Sequence, residues 1–229
     1  MKIIIATTKT WNIKNAKKLQ AKNKKINVVI VTTQIDLVRM VEKIQPKYIF
    51  FPHWSWFIPT KIHEKYKCIL FHMTDLPYGR GGSPLQNLII RGHEKTKISA
   101  IKVEKEIDSG AVYLKEDLEL KGTAKNIYKE ASRIIFDRMI PKLLESDISP
   151  SPQTGEVVIF ERLKPENSKI EFDKLVNINQ LYDKVRMLDA EGYPRAYFEI
   201  NGFKLIFSKP KYTNNKLICE INIVEEKIE

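Results

Sequence analysis

Residues 68–92 read CILFHMTDLPYGRGGSPLQNLIIRG, and the order of residue types in them decides the fold. Ile69, Leu70 and Phe71 form a short apolar run of strand character, and His72 closes it. A turn-rich loop follows, with Pro77, Gly79, Gly81 and Gly82. Ser83 then reads as an N-cap ahead of Pro84 at the first helical position. Leu85, Leu88 and Ile89 recur at helical spacing, and Gly92 stops the helix. Strand, histidine, glycine-rich loop and helix make an α/β unit, and in an open α/β sheet ligands bind at the carboxyl ends of strands. His72 is either a satisfied core histidine or a site residue, and the group that faces it decides which.

Downstream, Lys105-Glu106-Ile107-Asp108-Ser109-Gly110 lies between two β-type runs, Ile98 to Val103 and Ala111 to Leu120, so Asp108 sits in a turn between paired strands. Upstream, Lys2 to Thr8 is a buried-type strand and Ile26 to Val31 a second. Tyr48 to Pro52 is a third, and helices lie between them. The turn after the first strand, Thr7 to Asn12, has no glycine, which disfavours NAD or FAD binding. The third strand runs into FPHWSWFIP (51–59), the most aromatic stretch of the chain. Thr123 caps a long helix through Leu144 that Pro141 should kink or shorten. Ser149-Pro150-Ser151-Pro152 reads as a linker. Beyond it Leu181, Val185 and Leu188 mark a helix, and Asn201-Gly202 between AYFEI and FKLIF predicts a β-hairpin. The expected fold class is α/β, an open, mostly parallel sheet over residues 1–150, with a small α+β subdomain over residues 151–229.

At 229 residues and 43% apolar composition the chain can bury a proper core. It has no apolar run long enough to span a membrane, so no membrane role is expected. MKIIIATT reads as a core strand rather than a signal peptide. Cys68 and Cys219 read as free, buried thiols of a cytoplasmic protein, and no cluster has zinc spacing, so no metal is expected. The net charge of +11 is spread over scattered lysines, which suits either a soluble surface or attraction of anionic small molecules.

HMTDLPYGRGGSPLQ resembles the His-x-Ser-x-Leu-Pro-x-x-Arg-Gly-x-x-Pro loop of the 10-formyltetrahydrofolate-dependent formyltransferases. EIDSGAVYL resembles their second signature, an Asp followed by Thr or Ser and Gly before a strand. The resemblance runs in diluted form from Lys2 to Tyr212 and is strongest to sugar N-formyltransferases of pseudaminic-acid-type pathways. It implies an open Rossmann-like sheet, 10-formyltetrahydrofolate as formyl donor, and His72 and Asp108 as the catalytic pair. Formyl transfer to an amine develops an oxyanion and moves two protons, work that a carboxylate-oriented imidazole suits. The resemblance also assigns folate contacts to Phe51, Trp54, Trp56 and Ile58, with Arg80, Gly81 and Gly82. Lys9 and Trp11, at the first strand's end, and His53 and Ser55 are the candidates for contacting the acceptor. One departure stands out: the family commonly has Asn two residues before the His, and here that residue is Leu70, which cannot donate.

The tRNA enzymes of this superfamily carry a further carboxyl-terminal barrel domain, which the length after Pro152 does not accommodate. On that ground, and by the similarity of FPHWSWFIP (51–59) to the sugar enzymes, the expected acceptor is a small-molecule nucleotide-linked aminosugar, of the UDP-4-amino-4,6-dideoxy-N-acetyl type of pseudaminic acid biosynthesis, rather than a nucleic acid. A homodimer is compatible with this reading. The alternatives are a methionyl-tRNA formyltransferase-like enzyme lacking that domain, or a non-catalytic basic nucleic-acid-binding protein.

Overall fold

The computed structural model describes residues 1–225. Two compact units emerge, each assembled from separated stretches: residues 1–81, 96–118 and 129–159 in the first, and 82–95, 119–128 and 160–229 in the second. This spatial division and a division of the chain at residue 150 are different cuts. The segment just past the Ser-Pro linker, residues 151–159, belongs to the first unit.

The first unit is built on a six-stranded sheet. Its strands are β1 (Lys2–Ala6), β2 (Asn27–Val31), β3 (Tyr48–Pro52), β4 (Lys67–His72), β6 (Lys95–Lys102) and β7 (Val112–Glu119), in the order β2-β1-β3-β4-β6-β7. β1, β2, β3 and β4 pair in parallel, and β6 returns antiparallel to β4. Helices α1 (Thr10–Lys22), α2 (Gln34–Ile44) and the one-turn α3 (Thr60–His63) make the crossovers. β1 and β3 are buried almost throughout, because strands covered on both faces read as continuous apolar runs. Ile4, Ile49, Phe51 and Cys68 join Leu37, Val41 and Ile58 in one apolar cluster. Burial pushes the Cys68 thiol up to about 12, so it is inert, whereas Cys219 is only half-buried.

The Gly-rich loop is more ordered than a turn. Tyr78–Gly81 forms a short strand, β5, that pairs with β8 (Val158–Phe160). Helix α4 (Pro84–Ile90) follows, ending where Gly92 adopts φ 76° and the His93 N–H reaches the Leu88 carbonyl. Ser83 corrects the capping expectation. It sits in the left-handed region without capping the helix, and its hydroxyl accepts from the Leu163 N–H at 3.0 Å instead. Thr123 does begin a helix: α5 (Ala124–Ile134) widens into a π turn over Ile135–Met139 before α6 (Ile140–Glu145). Pro141 lacks an N–H, so the ladder is already broken one turn earlier, where the π turn lies.

In the second unit β9 (Tyr197–Ile200), β10 (Phe203–Thr213) and β11 (Lys216–Glu225) form an antiparallel sheet preceded by α7 (Ile178–Arg186). Asn201 and Gly202 take φ 49° and 77°, as the predicted two-residue hairpin requires. Asn214 and Asn215, at φ 48° and 59°, make a second such turn. Among the described residues no helix is long and apolar enough to cross a membrane.

Candidate active site

β4 delivers His72 at its last position, 7% exposed and opposite Ser99 of β6. Its Nε2 lies 2.7 Å from the Gly79 carbonyl oxygen, and its Nδ1 lies 3.5 Å from Asp108 Oδ2. Both ring nitrogens thus face oxygen acceptors, so protons on them are held in fixed directions. The Thr74 hydroxyl also donates to Gly79, at 3.2 Å, which fixes that carbonyl from a second side.

Asp108 reaches His72 because its backbone is left-handed, φ 53°. Its carboxylate is 7% exposed and accepts the Gly81 N–H at 3.0 Å. The turn carrying it is pressed against β6: a Cβ on Gly110 would stand 1.8 Å from the Lys102 carbonyl oxygen. Only glycine fits there. The two expected catalytic residues and Gly81 therefore converge in the first unit.

Gln153 was invisible to the sequence reading, yet it joins the parts. Its Oε1 accepts Arg80 Nε and Nη2 at 3.0 and 2.8 Å, and its Nε2 donates to the carbonyls of Asp108 and Gly110 at 2.8 and 2.9 Å. The Nε–Nη2 edge of Arg80, an expected folate contact, is thereby taken up inside the protein.

The aromatic segment splits into core and surface. Phe51 is fully buried and Ile58 is 8% exposed, both in the apolar cluster. Both were expected folate contacts, and both back the loop from inside the core. Trp54 packs edge-on to Phe51 at 6.0 Å and to Trp56 at 4.8 Å, and Trp56 is 42% exposed. The Trp54 Nε1 is buried and makes no hydrogen bond among the described residues. Ser55 is exposed. Leu70, on the same face of β4 as His72, packs against the apolar cluster as Trp54 does.

His53 is half-buried at φ 53°. Asn12 Nδ2 reaches its Nδ1 at 3.0 Å and also donates to the Pro52 carbonyl at 3.1 Å. The other ring nitrogen, Nε2, lies 3.2 Å from Met73 Sδ. Burial, with the Lys9 charge as a smaller cause, lowers its pKa to about 4, so the ring is neutral at ordinary pH. Asn12 is fully buried and, through Thr7 Oγ1 at 2.9 Å, ties the ends of β1 and β3 together.

Trp11, an expected acceptor contact, is turned away from solvent. Helix α1 starts at Thr10, which swings Trp11 inward to 7% exposure, edge-on to His53 at 6.2 Å. Lys9 lies with its Nζ 5.8 Å from the Trp11 ring. At Gly82, another expected folate contact, a Cβ would meet the Arg162 Cα at 2.5 Å, so the close backbone approach there requires glycine.

A mostly parallel Rossmann-like sheet with a histidine closing its fourth strand, and an aspartate turned onto that histidine, defines a protein of the formyltransferase class. HypX from Aquifex aeolicus in complex with tetrahydrofolic acid shares the fold alone. The match has a TM-score of 0.73 at 17% identity, over 92% of this chain and 38% of that one. A methionyl-tRNA formyltransferase from Clostridium thermocellum is 52% identical with a TM-score of 0.95, over 98% of this chain and 99% of that one. The chain belongs to the methionyl-tRNA formyltransferase family. Residues 165–224 match the family model described as methionyl-tRNA formyltransferase, C-terminal domain. The methionyl-tRNA formyltransferase of Rickettsia massiliae (strain Mtu5) is 26% identical over 189 residues, 80% of this chain and 61% of its own. The chain thus spans about three fifths of the length of the curated relatives it matches.

These findings overturn the nucleotide-aminosugar acceptor, the pseudaminic-acid affiliation and the exclusion of nucleic acid. The error lay in reading the region after Pro152 by length. Residues 165–224 carry a pattern that length alone does not reveal.

Proposed function

We propose that this chain transfers the formyl group of 10-formyltetrahydrofolate to the amine of methionyl-tRNA. The observation that carries the reading is the buried His72–Asp108 pair at the end of β4, in a chain of this family. The folate supplies an activated formyl carbon when bound. Trp54 and Trp56 suit a flat heterocycle: they offer ring faces and, in the Trp54 N–H, a buried donor without a hydrogen bond among the described residues. Asp108, anchored by the Gly81 N–H, accepts a proton from the attacking amine directly or through water. His72 keeps a proton at Nε2, held on the Gly79 carbonyl until a better acceptor arrives. Leu70 offers no donor beside them, so the Nε2–H of His72 carries the contact to the developing oxyanion without the family's usual Asn. The net charge of +11 favours a polyanionic acceptor, whose binding then weakens with salt.

The test offers 10-formyltetrahydrofolate with either methionyl-tRNA or a set of nucleotide-linked aminosugars, and reads the products by mass. Formylmethionyl-tRNA supports the reading. Formylated sugar with untouched tRNA rejects it.

A further inference from the structure

The geometry points to Gln153 as a positioning residue that holds Asp108 against His72 and couples that contact to Arg80. All four hydrogen-bonding valences of its amide are used: two N–H groups of Arg80 on Oε1, and the carbonyls of Asp108 and Gly110 on Nε2. The amide has one workable orientation. Turned over, its oxygen would face two carbonyl oxygens and its NH2 a guanidinium. Gln153 itself is placed by the bridge between Ser151 and Val112, whose N–H groups and carbonyls pair both ways at 2.8 and 2.9 Å. The stretch that looks like a linker is thus an extra strand residue beside β7, and two residues later it clamps the Asp108 turn.

The clamp matters because the hydrogen bonds within the Asp108 turn, from the Ser109 hydroxyl and N–H to the Glu106 carbonyl at 3.0 and 3.5 Å, leave the carbonyls of Asp108 and Gly110 to Gln153. Asp108 sits in the left-handed region, a strained backbone for a residue with a side chain, and the 3.5 Å contact to His72 has no slack. Removing the two donors to the Asp108 and Gly110 carbonyls frees the turn to relax. The carboxylate then leaves both Nδ1 of His72 and the Gly81 N–H. Arg80 loses its acceptor at the same time, so a single side chain registers both halves of the site.

The inference rests on the formyl-transfer reading for its kinetic arm only. The first arm uses the full chain without substrate: the side-chain nitrogen shifts of His72, identified by their loss in His72→Asn, are compared in wild type, Asp108→Asn, Gln153→Ala and Gln153→Glu. Gln153→Glu keeps an acceptor for Arg80 and sets a carboxylate against the two carbonyls, so it reads the clamp if the alanine variant does not fold. Both variants should move the His72 shifts toward their Asp108→Asn values. In the kinetic arm, kcat should fall about 10²-fold, as a displaced catalytic group does. Adding Gln153→Ala to Asp108→Asn should cost little more, because the clamp acts through the aspartate. His72 shifts that stay at wild-type values in the Gln153 variants, while Asp108→Asn moves them, overturn the proposal. So does a loss that multiplies fully in the double variant. A wild type that formylates no acceptor would reject the functional reading and leave the first arm standing.

Discussion

Gly110→Ala is the sharpest small perturbation available. The added methyl would lie 1.8 Å from the Lys102 carbonyl oxygen, 2.9 Å from its carbonyl carbon and 3.2 Å from Glu104 Cγ. Ordinary contact needs about 3.4 Å, so the turn must retreat by about 1.6 Å. Backbone cannot give way as a side-chain tip can: Lys102 is fixed by its N–H to the Ala111 carbonyl at 2.9 Å. Overpacking of this kind costs about 3 kcal/mol. For a chain of this size that lowers Tm by roughly 6–12 °C. The retreat also carries Asp108 from His72 and the Gly110 carbonyl from Gln153, so kcat should fall further than the fraction unfolded explains. Differential scanning fluorimetry beside a formylation assay at 20 °C reads both. A Gly110→Ala protein with wild-type Tm and kcat would refute the close approach and the dependence of Asp108 on it.

Trp11→Ala should destabilise by about 3 kcal/mol, the cost of emptying a buried aromatic site, while leaving the acceptor KM unchanged; denaturant unfolding and steady-state kinetics check the two halves. His53 makes stability pH-dependent. Its folded pKa, about 4, is below the ordinary 6.5, so the unfolded state takes up the proton first; stability is complete above about pH 6.5 and is lost as pH falls toward 4. The full shift would be worth about 3 kcal/mol, and with the ring partly exposed about 2 kcal/mol is expected. Unfolding midpoints of wild type and His53→Asn between pH 4 and 7 should converge at the acid end, and parallel curves would contradict the assignment.

What the sequence could show followed from local rules. Strand, histidine, glycine loop and helix are encoded by neighbours in the chain, and so is the Asn201-Gly202 hairpin. The approach of Asp108 to His72 was legible only through two motifs taken together. Other features depend on what the chain meets in space. Ser83 has the right residue type for a cap and is diverted by the Leu163 N–H. Trp11 follows a strand end as a ligand contact would, but the helix starts one residue earlier and turns it inward. Phe51 lies in an aromatic segment yet still belongs to β3, whose two faces are both covered, so it falls in the core. Asn12 and Gln153 have no local signature, since each earns its role from partners far along the chain. The acceptor was misread because chain length stood in for the pattern in residues 165–224.

The central claim is that the His72–Asp108 pair moves protons during formyl transfer to methionyl-tRNA. The direct measurement is the rate at which labelled formyl from 10-formyltetrahydrofolate appears on methionyl-tRNA under single-turnover conditions, in wild type, His72→Asn, Asp108→Asn and the double variant. The account predicts rapid transfer by wild type, a loss of about 10²-fold or more in each single variant, and little further loss in the double. Wild-type transfer rates in either single variant, at unchanged Tm, would contradict it.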